Sequence, residues 1–340
     1  MRPLQKLPPP LLDWYGRNAR VLPWRSDPTP YHVWISEIML QQTRVAAALD
    51  YYRRFLEALP TVEELARCPE DRLLKLWQGL GYYSRARNLQ KAARQILEDF
   101  GGRFPSGLSE IRSLAGVGDY TAGAIASIAF GQAVPAVDGN VLRVVSRLCD
   151  DHREMGSPGV KREVSTALEK IIPRDRPGDF NQALMDLGAT VCLPNGGPLC
   201  GQCPGAEFCL GRKAGTARDL PVRPGKKPRK IQERQVYLIF YEGRVALRRR
   251  PPKGLLGNLW EYPNEPAPWP CPVAGEAEFA GRGRHVFTHV EWRMEAFAVD
   301  AAGEELPQGW IWASAGDLAS EYPLPSAFQA FEELVGSRLL

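Results

Sequence analysis

The hydrophobic period of the chain changes once, near residue 230, and this change constrains the fold more than any other feature. Before it, apolar residues recur at the spacing of one helix face in seven segments: 31–45, 48–58, 62–76, 84–99, 119–130, 139–149 and 160–172. No useful run of strict alternation occurs in this part. We therefore expect an almost entirely helical domain over residues 1–211.

After the change, the pattern is that of β-strands. QVYLIFYEGRVALRRR predicts two strands joined at a Glu242-Gly243 turn. Apolar and charged residues alternate at the start of the segment 290–299, which places the apolar ones on a common face of a strand: Val290, Trp292, Met294 and Ala296. A last helix is expected over 325–338. Residues 234–340 are thus predicted to form a small α+β domain.

Residues 212–233 have the composition of a linker. The stretch 212–234 holds nine basic residues against two acidic ones, together with three prolines and few apolar side chains. Such a composition predicts an extended tether. A polyanion contact becomes the favoured interpretation only if the flanking domains also bind one.

Composition and length exclude several classes of protein. The 340 residues are 44% hydrophobic and 24% charged, which is typical of a soluble globular chain of two or three domains. No stretch approaches the roughly 18 consecutive apolar residues of a membrane span. The N-terminus has prolines and charges where a signal peptide has an apolar run. We expect a cytoplasmic monomer without membrane association. Arginine outnumbers lysine 33 to 10, which fits phosphate recognition and a GC-rich genome equally well.

Four cysteines fall within 18 residues, with the spacing C-x7-C-x2-C-x5-C: Cys192, Cys200, Cys203 and Cys209. In a cytosolic chain this clustering predicts a metal site rather than disulfides. Four thiolates can bind one tetrahedral zinc or one [4Fe–4S] cluster, and the spacing allows both. Because four protein ligands leave no open position for substrate, a structural role is favoured.

Residues 108–125 predict two helices joined by a glycine-rich turn. Gly116 and Gly118 permit a tight turn and a close approach of the backbone to a ligand. The free N–H groups at the start of the second helix could bind a phosphate. An ordinary helical hairpin without a ligand explains the same pattern, and this stretch alone favours that interpretation.

Two carboxyl groups could carry acid chemistry. Glu37 lies in a mostly apolar helix, where burial would raise its pKa and make it a general acid near neutral pH. Asp138 precedes an amphipathic helix as a predicted N-cap, from which it could stabilise a sugar cation. Taken singly, each has a more ordinary interpretation, as an edge carboxylate paired with an arginine or as a simple cap.

A further segment suits nucleic acid. QGLGYYSRARNL at 78–89 places Tyr82 and Arg85 close together, and aromatic rings beside guanidinium groups suit stacking on unpaired bases next to phosphates. A capped helix start with surface arginines explains the same pattern equally well.

Eight segments carry a resemblance to a known family: LPWR (22–25), WISEIMLQQTRV (34–45), QGLGYYSRARNL (78–89), LAGVGDYTAGAI (114–125), VDGNVLRVVSRL (137–148), FNQALMDLGATVC (180–192), GLLGNLWEYP (254–263) and HVFTHVEW (285–292). In this order they resemble the adenine DNA glycosylases of the MutY type, in the helix-hairpin-helix superfamily that also contains endonuclease III. The resemblance covers about residues 10–335. It implies a Nudix-like C-terminal domain and an enzyme that removes adenine mispaired with 8-oxoguanine or guanine in double-stranded DNA.

The resemblance also implies roles for single residues. Glu37 would protonate the adenine ring, Asp138 would stabilise the oxocarbenium ion, and Asn140 would support Asp138. Tyr120 stands where bifunctional relatives carry a Schiff-base lysine, so the enzyme would be monofunctional. The remaining roles implied are DNA and base contacts for Arg25, Leu40, Gln42, Thr43, Tyr82, Arg85, Gly116, Gly118, Gln182, Phe287, Thr288 and His289, with Gln42 and Tyr82 as wedges. The four cysteines would hold a [4Fe–4S] cluster.

The sequence departs from the family pattern in two places. The first cysteine spacing is x7 where the family commonly has x6, and one added loop residue changes the closure entropy little. Phe287-Thr288-His289 stands where the family usually has Phe-Ser-His. Thr288 keeps the hydroxyl and adds a methyl group, so altered lesion discrimination is expected. The C-terminal domain lacks the glutamate-rich Nudix metal-binding pattern, and we interpret it as a binding module without pyrophosphatase activity.

Three other functions remain possible at this point. An endonuclease III-like enzyme for oxidised pyrimidines is disfavoured by Tyr120 and by the added C-terminal domain. A non-catalytic DNA-binding protein with a four-cysteine zinc site would not need Glu37 and Asp138. A Nudix-type nucleotide hydrolase is disfavoured by the missing metal-binding pattern.

Overall fold

The computed structural model describes residues 1–194, 197–222, 225, 228–264 and 276–339. It divides into two compact units. The first contains Met1–Tyr52, Thr61–Ala66 and Lys91–Gly225, and the second contains Arg53–Pro60, Arg67–Gln90 and Lys226–Leu340. Two segments of the helical region therefore group with the α+β region. Residues 195–196 of the cysteine loop and 223–224 and 226–227 of the expected linker lie outside the described residues.

The helical region contains α1 (Pro8–Asn18), α2 (Pro23–Ser26), α3 (Pro30–Leu40), α4 (Val45–Ala58), α5 (Val62–Arg67), α6 (Glu70–Leu76), α7 (Ser84–Asp99), α8 (Leu108–Ser113), α9 (Asp119–Phe130), α10 (Gly139–Cys149), α11 (Pro158–Glu169), α12 (Pro177–Asp186) and α13 (Leu210–Ala214). The bounds expected for α7, α9 and α10 are confirmed to the residue.

Four expected helices have bounds other than those predicted. Helix α4 begins at Val45 where 48 is expected, α11 spans Pro158–Glu169 where 160–172 is expected, and the other two are interrupted. The helix expected over 31–45 ends at Leu40, because Gln41 is extended and Gln42 has a φ of +62°, which no α-helix accommodates. The helix expected over 62–76 is divided into α5 and α6. Pro69 lies between them, and proline has no N–H with which to continue the hydrogen bonds of a preceding helix.

One core cluster of the first unit is formed largely by α1, α10, α11 and α12. Leu11, Val145, Val164 and Leu184 represent these helices in one buried cluster, which extends to Cys192 and Cys209. Helix α9 packs against α3, α8 and α12. Helix α12 therefore contacts both α9, which follows the glycine-rich turn and packs on the helix of Glu37, and the cluster that includes two cysteines of the cysteine loop.

Among its described residues, the second unit contains a mixed sheet of six strands: β1 (Lys230–Tyr241), β2 (Arg244–Arg249), β3 (Trp260–Glu261), β4 (Glu278–Val286), β5 (Val290–Asp300) and β6 (Trp310–Ala313). The strand order is β3-β2-β1-β5-β4, and β6 pairs with β2. Strands β1 and β5 are parallel from Lys230↔Val290 to Phe240↔Asp300, and the other pairs are antiparallel. Because β1 begins at Lys230, the end of the expected linker is a strand.

Helices follow the sheet and cover one face. They are α14 (Ala315–Ser320), a 3-10 turn (Ser326–Phe331) and α15 (Glu332–Arg338), where the sequence predicts a single helix over 325–338. Trp292, Met294 and Ala296 pack here against Phe328 and Phe331. The predicted apolar face of β5 is therefore confirmed.

Segments of the helical region join this unit through polar contacts. Arg249 pairs with Asp71 at 2.7 Å, and Asn258 donates to Glu70 at 2.9 Å. Lys75 Nζ donates to the carbonyl of Leu318 at 2.6 Å. Helix α6 is thereby fixed to the α+β region. Across the ranges that the structure describes, no helix has the length and apolar content needed to cross a bilayer.

Candidate active site

Glu37 is a buried acid on α3. Its side chain is 6% exposed, and it lies among the buried apolar residues of this helix, such as Trp34 and Ile38. Burial raises the pKa of Glu37 to about 7. The Tyr120 hydroxyl donates to Oε2 of Glu37 at 2.6 Å, which acts against that rise. The predicted raised pKa is confirmed, and Glu37 can exchange a proton near neutral pH.

Asp138 is the N-cap of α10, as the sequence predicts. Its Oδ1 accepts from the backbone N–H of Val141 at 2.7 Å, and its Oδ2 accepts from Asn140 Nδ2 at 2.7 Å. Burial raises the pKa of Asp138, while these two hydrogen bonds lower it. Asn140 thus holds the Asp138 carboxylate directly.

The two carboxyl groups belong to one site. The charge on Asp138 raises the pKa of Glu37, and the Arg25 guanidinium lowers it. Burial, together with the negative charges of both carboxylates, raises the pKa of Tyr120 well above its ordinary value, so the Tyr120 hydroxyl stays protonated. The fold therefore brings together four predicted site residues that form two pairs in the sequence, Arg25 with Glu37 and Tyr120 with Asp138, roughly 100 positions from each other.

Arg25 is held by Asp186, a residue that the sequence did not indicate. The Asp186 side chain is 0% exposed and accepts from both Nη atoms of Arg25, at 2.8 and 2.9 Å. Arg20 Nε donates to the same carboxylate at 2.8 Å. The neighbouring guanidinium groups hold the pKa of Asp186 below its usual range despite burial. Tyr15 lies beside Arg25, whose Cζ is 5.7 Å from the ring centroid.

Leu40, Gln42 and Thr43 lie at or just after the end of α3, and Gln182 lies within α12. Leu40 is the last residue of α3 and is half-buried, and Thr43 N–H donates to its carbonyl at 3.3 Å. Gln42 is exposed, with the left-handed backbone noted above. Gln182 lies on α12, one turn before Asp186. Their contacts with DNA remain predictions.

The glycine-rich turn joins α8 to α9 as predicted. Gly116 has a φ of +76°, in the region that favours glycine. Gly118 is the N-cap of α9, and a Cβ there would meet no atom within 4 Å. Asp119 is the first residue of α9 and pairs with Arg112 at 2.7 Å. The helix start is therefore open to a ligand on the Gly118 side.

The four clustered cysteines line one cavity. Its other lining residues are mainly apolar, including Val144, Leu148 and Leu187. Arg147 Nη1 donates to Cys192 Sγ at 3.3 Å and to the carbonyl of Leu193 at 2.8 Å. In the described part of the chain, no three His, Cys, Asp or Glu side chains are arranged to hold a single metal ion. Four sulfur donors around one apolar space, with a guanidinium beside one of them, fit an iron–sulfur cluster.

A buried arginine connects the cysteine loop to Asp138. Arg143 Nη2 donates to Asn140 Oδ1 at 2.8 Å and to the carbonyl of Gly188 at 2.7 Å, and its Nε donates to the carbonyl of Cys192 at 2.8 Å. The support of the Asp138 carboxylate therefore continues, through two side chains, to the first cysteine.

Predicted DNA-contact residues of the second unit also come together. Tyr82 is 48% exposed, has a φ of +48°, and its hydroxyl is 2.9 Å from Thr288 Oγ1. Phe287 is half-buried between the rings of His285 and Trp292, with centroids 4.6 and 4.9 Å away. Thr288 and His289 are exposed at the turn between β4 and β5.

Arg85 is buried, although the sequence suggested a guanidinium group available to DNA. It is 8% exposed, and its Nη2 donates to the carbonyls of Leu80 and Gly81 at 3.1 and 3.2 Å. Its Cζ lies 5.3 Å from the Trp77 ring centroid, and burial lowers its pKa to about 10. A guanidinium buried against the loop that carries Tyr82 supports that loop, and a contact between Arg85 and DNA stays a prediction.

Sequence reasoning missed Asp186 and Arg143. Asp186 follows Gln182 by four residues on a helix, and Arg143 follows Asn140 by three, so each lies on the same helix face as a predicted residue. That spacing was an available signal, but only the folded chain shows which partners they meet.

Comparison with protein families agrees with both halves of the chain. Residues 35–174 match the HhH-GPD superfamily of base excision DNA repair proteins, and residues 235–333 match the NUDIX domain.

Curated relatives match most of the chain. The adenine DNA glycosylase of Mus musculus is 34% identical over 95% of this chain and 77% of its own length. That of Homo sapiens is 33% identical, over 89% and 69%. That of Buchnera aphidicola from Schizaphis graminum is 36% identical, over 75% and 73%.

Solved structures match the helical region. A thermostable thymine-DNA glycosylase is 28% identical with a TM-score of 0.56, over 63% of this chain and 98% of its own. A trapped endonuclease III–DNA covalent intermediate is 26% identical with a TM-score of 0.53, over 62% and 98%. The predicted fold, mainly α with an α+β Nudix domain, is confirmed. The chain belongs to the adenine DNA glycosylases, DNA repair enzymes of the helix-hairpin-helix base excision superfamily.

Proposed function

We propose that this protein hydrolyses the N-glycosidic bond of adenine paired with 8-oxoguanine or guanine in duplex DNA and leaves an abasic site. One observation carries the proposal. Glu37 is buried with a pKa of about 7, it accepts a hydrogen bond from Tyr120, and the negative charge of Asp138 contributes to its raised pKa. A proton donor and an anion in one site are what departure of a base and formation of a sugar cation require.

Substrate binding begins at the phosphates. The open start of α9 at Gly118, with the turn at Gly116, binds the backbone through N–H groups. Gln42 and Tyr82, both exposed and both in the left-handed region, enter the duplex as wedges while adenine leaves the stack. The weaker pairing at a mispair lowers the cost of this extrusion.

Glu37 then protonates a ring nitrogen of the extruded adenine. Because Oε2 accepts the hydrogen bond from Tyr120, the proton that Glu37 transfers is carried on Oε1. As the glycosidic bond breaks, its electron pair goes to adenine, which departs with the proton of Glu37. Arg25, Leu40 and Gln182 hold the base, and Asp186 keeps the Arg25 guanidinium in place.

Asp138 stabilises the cation that remains on the sugar. Asn140 and the N–H of Val141 orient its carboxylate, so that stabilisation needs no rearrangement in the transition state. Water adds to the sugar carbon and gives up one proton, which returns to the Glu37 carboxylate directly or through solvent, and the hydrolysis is complete. Tyr120 offers a hydroxyl and no amine for a Schiff base, so strand cleavage does not accompany base removal.

Cys192, Cys200, Cys203 and Cys209 would hold a [4Fe–4S] cluster in the cavity they line. The bound cluster supplies four iron–sulfur bonds that crosslink this loop, a structural contribution. Iron and sulfide analysis of the purified protein tests it: about four iron atoms per chain support the assignment, and zinc in a colourless protein contradicts it.

Residues 234–340 serve as a lesion-recognition module without pyrophosphatase activity, joined through 212–233 to the catalytic domain of 1–211. Thr288 and His289 are exposed on a turn, as base-reading side chains must be. The protein acts on DNA as a cytoplasmic monomer.

The deciding experiment is base excision on end-labelled duplexes with adenine opposite 8-oxoguanine, guanine or thymine, with and without alkali. We expect alkali-dependent cleavage at adenine, strongest opposite 8-oxoguanine and absent opposite thymine. Glu37→Gln should bind the mispair and leave adenine in place, whereas Glu169→Gln makes the same change at an exposed position and should act as the unaltered protein does. Excision by Glu37→Gln near the unaltered rate would refute the acid assignment.

A further inference from the structure

The end of the basic linker meets the turn between β4 and β5. Arg229 Nε donates to the carbonyl of Phe287 at 3.1 Å. One residue later, the N–H of Lys230 donates to the carbonyl of His289 at 3.1 Å, where the parallel pairing of β1 with β5 begins. Both carbonyls of the turn that flank Thr288 are therefore bound by consecutive basic residues of the linker.

Other contacts fix the same turn. The N–H of Phe287 donates to the carbonyl of Val290 at 2.8 Å and closes it. The Phe287 ring is packed between two aromatic rings, and Thr288 Oγ1 is in hydrogen-bond contact with Tyr82. Within this frame the side chains of Thr288 and His289 remain exposed. A turn fixed at both carbonyls presents them in one geometry, which base discrimination requires.

Arg229 is itself exposed and uses one donor for this contact. Its guanidinium carries five N–H donors in a planar fork, so four remain on the two Nη atoms beyond the Nε that contacts Phe287. Such a fork suits phosphate. A guanidinium held beside the turn lies next to the side chains of Thr288 and His289, so a phosphate that it binds would flank the base that they read.

We infer that Arg229 is a positioning residue for lesion recognition that also binds a phosphate of the strand carrying 8-oxoguanine. The inference rests on the proposed function and adds a role for the linker, which its composition alone left as a tether. Arginine performs both tasks because Nε and the two Nη atoms point in different directions. Lysine keeps the charge but concentrates its donors at one nitrogen.

The test compares Arg229→Ala, Arg229→Lys and a matched control, Arg244→Ala. Arg244 is the first residue of β2 and pairs in the sheet with Tyr241, the last residue of β1, so its replacement removes the same charge at the far end of that strand. Adenine excision is measured opposite 8-oxoguanine and opposite guanine in single turnover. Binding of the 8-oxoguanine duplex is measured against salt, with each variant combined with Glu37→Gln.

For Arg229→Ala, we expect the slope of log affinity against log salt to fall by about 0.9, the value of one phosphate contact. The preference for 8-oxoguanine over guanine should fall roughly three- to tenfold, the loss of one hydrogen bond that orients the turn. Arg229→Lys should keep the slope and lose the preference. Arg244→Ala should change neither.

The outcomes separate the two claims. An unchanged slope in Arg229→Ala refutes the phosphate contact, and an unchanged preference refutes the positioning role. Full recovery of the preference by Arg229→Lys also refutes positioning, because charge alone would then suffice. If the unaltered protein excises no adenine from either duplex, the proposed function fails instead, and the salt dependence still reports on the phosphate contact.

Discussion

We expect ionisation of the buried Glu37, the proposed catalytic acid, to lower the free energy of unfolding of the protein near and above neutral pH. Its pKa is raised from 4.5 to about 7 because the folded chain buries it, whereas in the unfolded chain it is in water. The folded pKa is the higher one, so the folded state is favoured fully below pH 4.5, and that contribution is lost as the pH rises through 7. A shift of this size corresponds to roughly 3 kcal/mol.

Glu37→Gln removes the ionisation and keeps a carbonyl oxygen to accept from Tyr120. The free energy of unfolding of this variant, relative to the unaltered protein, should therefore rise by roughly 2–3 kcal/mol between about pH 5 and about pH 9. Excision should be lost throughout. Urea denaturation of both proteins across this range measures the difference, and the unaltered enzyme's excision rate should decline above pH 7.

Glu169→Gln is the control, since Glu169 is exposed on α11 and its replacement should leave the pH dependence unchanged. If the difference in unfolding free energy between Glu37→Gln and the unaltered protein did not vary with pH, the pKa of Glu37 would not be raised on folding. Its assignment as the acid would then lose its physical basis.

Three more variants test the site. Asp138→Asn keeps a good N-cap and should change stability by less than about 1 kcal/mol, yet lower excision on the order of a thousandfold in single turnover. Asp186→Asn leaves the Arg25 charge buried without its carboxylate and should cost about 3 kcal/mol in urea denaturation, and a change below 1 kcal/mol would contradict the ion pair. Tyr120→Phe removes a hydrogen bond that lowers the pKa of Glu37, so the alkaline limit of the excision rate should move to higher pH. A move to lower pH would contradict that contact.

Local patterns in the sequence were sufficient for several helices and for the buried face of one strand, but not for the interruptions at Gln42 and Pro69. Helical spacing predicted α7, α9 and α10 to the residue, and alternation predicted the buried face of β5, because hydrophobic periodicity is a local property of the chain. The N-cap at Asp138 and the raised pKa of Glu37 followed from short-range chemistry in the same way.

Tertiary structure alone decided which distant groups meet. Asp186 binds Arg25 across 161 positions, Arg143 joins Asn140 to Cys192, and Arg229 reaches Phe287 across 58 positions. Arg85, which we expected to contact DNA, is buried and donates hydrogen bonds to two carbonyls of the loop before Tyr82. Composition and spacing fix what each side chain can do, but its partner depends on how helices and strands pack, and a pairing between distant residues leaves no periodic pattern in one sequence.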